Sequence, residues 1–274
     1  MHFYEKTEEG IQPRHFVQQK SNPAKKRPSR KTDATAAAKE GRVWYPSVTG
    51  IIDILAKPQL ENWKIEQHLK TVWSPDKNLV LNADKFFDDF DNFAQQVKDL
   101  TQLRLDEAPK AGTNIHKVIE DYLFTGEYPV HLMHAKIIRN IEAELKKELG
   151  KDIQWEQEKR FVNQKLGYAG TIDLVSDEWV IDFKSKQTAA KFKPGKMAYE
   201  DHARQLAAYG YGISTVEMNS ANIFVCLETG EIDFHIHEPD KIGLAWEDFC
   251  DCLNLYHRNV YSPFDSELIA MKNR

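Results

Sequence analysis

Asp173, Asp182 and Lys184 fall in two short apolar runs, TIDLV and WVIDF, with the lysine following the second run. In a strand, side chains alternate between faces, so Asp182 and Lys184 point the same way, as do Thr171, Asp173 and Val175. Two carboxylates and an ammonium at the ends of adjacent apolar strands are costly to desolvate unless something compensates them. A divalent cation does so, and a phosphodiester is its usual companion. Hydrolysing that ester needs an activated water and neutralisation of the charge that builds on the phosphate oxygens. Gly170 to Lys186, GTIDLVSDEWVIDFKSK, therefore reads as the core of a metal-dependent nuclease. Asp173 and Asp182 would give oxygen ligands to Mg²⁺ or Mn²⁺. The main-chain carbonyl of Phe183, expected at a strand end without a ladder partner, is a further ligand. Lys184 would orient or polarise the attacking water, or bind the phosphate.

Other residues have spacings that could bring them to the same place. His116 and Glu120, four apart in GTNIHKVIEDYL, share one helix face. A neutral imidazole can bind the metal, and the carboxylate can hold a metal-bound water or a second metal. Gln205 and Tyr209 are also four apart; the amide can position Lys184 or a phosphate oxygen, and the ring can pack against a sugar or base. Lys186, Lys191, Lys193 and Lys196 follow the second strand closely and form a candidate phosphate-contacting loop.

The elements that must position these residues show in the periodicity. Ser47 is placed to cap a helix carrying Val48, Ile51, Ile52 and Leu55, and Pro58 interrupts before a second helix with Leu60 and Trp63. Asp84 to Leu105 and Gly112 to Leu123 read as two separate helices, and Ala135 to Leu149 as another. The pattern then alternates over Ile153 to Val162, followed by the two Asp-bearing strands and the Gln205 helix. A hairpin, ANIFVCL and EIDFHIH, and a last helix with Trp246, Phe249, Leu253 and Tyr256 close the order. The expected class is α/β, a mixed sheet flanked by helices with a helical addition in front. Residues 1–42 read as a flexible basic arm, and 43–274 as one domain: 43–150 helical, shaping an entrance, and 151–274 the sheet core.

Composition sets the outer bounds. The chain has 274 residues, enough to bury a core, with 41% hydrophobic and 29% charged residues. Net charge is −5, so the whole chain is not a basic nucleic-acid binder; residues 1–42, however, hold ten Lys/Arg against five Asp/Glu. No run approaches the roughly 18 apolar residues of a membrane helix, and MHFYEKTEEG lacks a secretory pattern, so an intracellular location without membrane association is expected. Three cysteines, Cys226, Cys250 and Cys252, cannot supply the four ligands of an iron–sulfur cluster, and none is expected.

The motifs together resemble the PD-(D/E)XK nuclease superfamily in its RecB-like exonuclease branch. That branch typically shows G-x-x-x-H-x-x-x-E, G-x-x-D, D-x-K and Q-x-x-x-Y in this order, here Gly112/His116/Glu120, Gly170/Asp173, Asp182/Lys184 and Gln205/Tyr209. YPSVTGIIDIL followed by LENW is similar to the mitochondrial genome maintenance exonucleases and their phage and bacterial relatives, and the resemblance covers roughly residues 44–237. It implies a restriction-endonuclease-like sheet and Mg²⁺- or Mn²⁺-dependent cleavage of DNA from its ends, in recombination, replication or repair. His116, Asp173 and Asp182 would be metal ligands and Lys184 the catalytic lysine, supported by Glu120, Gln205 and Tyr209. The resemblance leans towards single-stranded ends as substrate and a single-strand-binding or annealing protein as partner. An endonuclease of the same superfamily, or a non-catalytic DNA-binding protein on the fold, are the alternatives.

Overall fold

The computed structural model describes residues 2–19, 22–73, 90–150, 153–214 and 217–263. The chain divides into two compact units, Met1–Leu55 with Val118–Arg274, and Ala56–Lys117. The protein is mixed α/β.

The main unit is built on a five-stranded sheet of β6 (Glu156–Asn163), β7 (Tyr168–Val175), β8 (Trp179–Lys186), β9 (Asn219–Cys226) and β10 (Ile232–His237), in the order β10-β9-β8-β7-β6. All neighbours run antiparallel except β8 and β9. A parallel pair needs a crossover, and the helix here called α6 (Glu200–Ile213) supplies it. Helix α7 (Pro239–Asn259) packs beside α6, and Leu206, Tyr168, Val180, Phe249 and Tyr256 belong to one buried cluster there. Helix α5 (Leu132–Leu149) ends at Gly150, whose φ of 63° is the left-handed cap conformation that glycine adopts without strain. The expected sequence of three strands, a helix, a hairpin and a helix is what the chain forms.

Residues 1–42 differ from the expected flexible arm. They form β1 (Phe3–Thr7), β2 (Gly10–Pro13), β3 (Phe16–Gln19), β4 (Asn22–Pro28) and α1 (Lys31–Lys39). Strand β1 lies between β2 and β5 (Trp44–Pro46), and Tyr4, Tyr45 and Ala169 share a buried cluster. Phe3 is fully buried, and Ala34 and Ala37 of α1 join the main core. A few well-placed large side chains and a long-range strand partner order this segment, which composition alone does not show. Helix α2 (Val48–Ile52) begins as expected, with the Ser47 hydroxyl accepting from Gly50 N–H at 3.0 Å.

The second unit holds α3 (Pro58–Trp73) and most of α4 (Phe90–Thr125), the division falling inside α4. As expected, Pro58 separates two helices; it opens α3, a position where its missing N–H costs nothing. The two helices expected over 84–105 and 112–123 are one from Phe90 onward; residues 84–89 lie outside the described residues. Val97 and Ile115, eighteen apart, are about five turns at 3.6 residues per turn and so share a face, and both are buried. The helix thus continues through Pro109 and Gly112. Among the described residues, no helix is long and apolar enough to cross a membrane.

Candidate functional site

The antiparallel ladder between β7 and β8 consists of Leu174↔Ile181 and Val175↔Val180. The next pair in that register is Asp173 with Asp182, and there the ladder has ended. Asp173 Oδ2 instead accepts the main-chain N–H of Phe183 at 2.8 Å, so a carboxylate takes up a donor on the edge where β7 has drawn away. From the sequence Phe183 is expected at a strand end; it sits instead within β8, and the opening of this ladder is what puts its main chain beside Asp173. Its N–H and carbonyl face the same edge.

Asp182 is 2% exposed, and three side chains donate to its carboxylate. Gln205 Nε2 reaches Oδ1 at 2.9 Å, Asn222 Nδ2 reaches Oδ2 at 3.0 Å, and Lys184 Nζ lies 2.6 Å from Oδ2. Lys184 also donates to Gln205 Oε1 at 3.0 Å, and Gln205 Nε2 donates to the Tyr209 hydroxyl at 2.8 Å. The amide orientation of Gln205 follows from its partners: an ammonium needs the oxygen, a carboxylate the N–H₂. Gln205 is therefore in hydrogen-bond contact with Lys184, the residue it is expected to position.

Asn222 was not legible as a site residue. It lies opposite Asp182 on β9, fully buried in an apolar strand, and its Oδ1 accepts from His237 Nε2 at 2.8 Å. Because Asn222 uses its N–H₂ on Asp182, only its oxygen remains for His237, which fixes the Nε2–H tautomer of the imidazole. Burial lowers the His237 pKa to about 4, which keeps that tautomer neutral. The available signal was a lone amide among apolar strand residues, since a buried amide needs partners.

Electrostatics set Asp173 apart from surface carboxylates. Desolvation first, and the neighbouring Asp182 second, push Asp173 well above the ordinary carboxylate range, while the Phe183 N–H and Lys184 oppose this. Glu158 adds to the same repulsion. It sits at φ 47° between the pairs Gln157↔Leu174 and Lys159↔Ile172, level with Asp173. A non-glycine residue in that region is strained.

Tyr209 departs from its expected role. It is 5% exposed, its ring lies 6.0 Å from that of Phe161, and its hydroxyl is held by Gln205, so it has no face to offer a sugar or base. Gly170 is explained by the same packing: a Cβ there would lie 2.8 Å from both the Phe161 and Tyr209 rings. Lys186 is half-buried near Lys184, whereas Lys191, Lys193 and Lys196 are exposed on the loop before α6. His116 and Glu120 are both half-buried on α4, one turn apart, His116 in the second unit and Glu120 in the main one. Among the described residues, no group of three or more His, Cys, Asp and Glu side chains is placed to hold a metal ion. The donors that converge within the main unit are the carboxylates of Asp173 and Asp182 with the Phe183 main chain beside them. That all-oxygen set suits a hard cation that keeps several waters, and the mutual repulsion of the pair is what such a cation relieves.

The main unit is thus an α/β protein whose largest sheet carries a buried Asp–Lys–Gln constellation. No protein-family model matches the chain, and no curated protein does. Among solved structures it is similar to one titled "Crystal structure of SSO0001", at 16% identity and a TM-score of 0.23, over 42% of this chain and 55% of that one. The chain thus matches about half the length of that structure, a likeness too slight to carry any argument about fold or activity.

Proposed function

We propose that the protein is a metal-dependent deoxyribonuclease with a restriction-endonuclease-like core, acting as an exonuclease on DNA ends. The observation that carries this reading is the convergence of Asp173, Asp182 and Lys184 where the β7–β8 ladder opens, with Gln205 bridging Asp182 and Lys184. Asp173, Asp182 and the Phe183 carbonyl would hold Mg²⁺ or Mn²⁺. The ion would supply an activated water and neutralise charge on the phosphate. Asp182 and Gln205 take two of the three Lys184 hydrogens, leaving the third for a substrate oxygen. That preorganised ammonium stabilises charge developing at the scissile group. Gln205 and Asn222 keep the Asp182 carboxylate from rotating, and Tyr209 anchors Gln205 from behind.

The test is hydrolysis of end-labelled linear DNA and covalently closed circles in Mg²⁺ or Mn²⁺, with wild type and Lys184→Ala in parallel. Degradation of the linear substrate, spared circles and loss of activity in the variant are expected. Efficient cutting of closed circles would make the protein an endonuclease, and unchanged hydrolysis by Lys184→Ala would remove the mechanism.

A further inference from the structure

We propose that Tyr199 and Lys186 form a stacking subsite for an unpaired nucleobase beside the scissile phosphate; the assignment to DNA rests on the nuclease reading above.

Tyr199 precedes the first turn of α6, the helix that holds Gln205 against Lys184, and is 52% exposed. Tyr199 is exposed to solvent where Tyr209 is not. Its main chain is anchored, since its N–H donates to His202 Nδ1 at 3.2 Å and the two rings lie 5.4 Å apart. Lys186 stands two residues beyond Lys184 on the same face of β8. Its ammonium lies 5.7 Å from the centre of the Tyr199 ring and 6.0 Å from that of Phe224. Two strand residues span about 7 Å, or about two stacked nucleotides at roughly 3.4 Å each. With the further 5.7 Å from the Lys186 ammonium, the Tyr199 ring is within about 13 Å, or about four stacked nucleotides, of whatever phosphate Lys184 contacts.

An exposed ring next to a cation, in line with a second cation, is the arrangement by which single-stranded nucleic acid is held: bases stack on the ring and phosphates meet the ammonium groups. Paired bases inside a duplex have no free face for Tyr199. Burial, and then Lys184 and Lys191, push the Lys186 pKa down, as befits a cation kept among like charges until a phosphate neutralises it. His202 has its pKa lowered to about 3, chiefly by burial, and stays neutral beneath the ring.

The experiment measures binding by fluorescence anisotropy of dye-labelled oligothymidylate and of a blunt duplex, to the Lys184→Ala protein with and without Tyr199→Ala or Tyr199→Trp. Tyr199→Ala is expected to weaken single-strand binding about tenfold, and up to about a hundredfold, with duplex binding within twofold; Tyr199→Trp should retain or tighten it. Single-strand binding by Tyr199→Ala equal to its parent, or an equal loss on duplex, would overturn the subsite. Hydrolysis by wild type is followed separately. Active wild type with unchanged single-strand binding by Tyr199→Ala removes the subsite alone, and inactive wild type removes the nuclease reading while the binding data still decide the subsite.

Discussion

Asn222→Ala should be among the most damaging substitutions in the sheet. Asn222 Nδ2 donates to Asp182 Oδ2 at 3.0 Å and to the Asp182 carbonyl at 3.3 Å, while Oδ1 accepts from His237 Nε2. Losing a hydrogen bond to a charged group costs about 1.5–3 kcal/mol, and leaving the buried His237 donor unsatisfied costs about 1–3 kcal/mol more. A loss of roughly 3–5 kcal/mol is then expected, against a total stability of about 5–15 kcal/mol for such a domain. Urea denaturation should show a lower midpoint with an unchanged slope. The double variant Asn222→Ala/His237→Phe should lose about 1–2 kcal/mol less than the sum of the singles, because neither the His237 donor nor the Asn222 oxygen is then left buried without its partner. Asn222→Asp should be at least as harmful at neutral pH, since it sets an oxygen against Asp182 Oδ2. Hydrolysis by the folded fraction of Asn222→Ala should also fall, as Asp182 is free to rotate. A stability change within about 0.5 kcal/mol, the range of ordinary surface substitutions, would refute the reasoning.

Acid lability should follow from the buried histidines. His237 titrates near 4 in the folded protein and His202 near 3, both lowered by burial from 6.5. Below pH 6.5 the unfolded chain takes up protons that the folded one refuses, so stability is complete above 6.5 and falls as pH drops towards 4, by about 3 kcal/mol for His237 alone. His237→Gln, which keeps a donor for Asn222, should flatten the dependence of urea midpoints between pH 7 and pH 4.5. Asp173→Asn relieves the repulsion with Asp182 and should raise the melting temperature of the metal-free protein; calorimetry and thermal shift should show the stabilisation by Mg²⁺ or Mn²⁺ gone. A Cβ at Gly170 meets two rings at 2.8 Å, and at Gly212 it meets Phe161 at 2.4 Å. Each Gly→Ala change should cost about 1–3 kcal/mol in denaturation, and Gly170→Ala should also lower turnover because Tyr209 supports Gln205.

What the sequence made legible was local. Strand alternation sets Asp182 and Lys184 on one face whatever the strand pairs with, and helical spacing likewise joins Gln205 to Tyr209. What it left hidden depends on pairing. Asn222 becomes a site residue because the parallel register sets it level with Asp182, and Phe3 and Tyr4 are ordered by a partner forty residues away at Trp44–Pro46. Tyr209 shows the same limit in reverse: spacing gave its helix face, while the Phe161 packing that closes that face to a base comes from another strand. The two aspartates combine both kinds of information. Read alone, each is a polar interruption of an apolar run. In the observed register they are the first opposed residues beyond Leu174↔Ile181, where repulsion between carboxylates and the loss of ladder bonds coincide. Asp173 offsets that loss by accepting the Phe183 N–H, so the opening that would weaken a purely structural sheet here keeps its freed main-chain donor satisfied. Replacing the pair with apolar strand residues would allow the ladder to close, which makes the split itself part of the site rather than a consequence of whatever binds there.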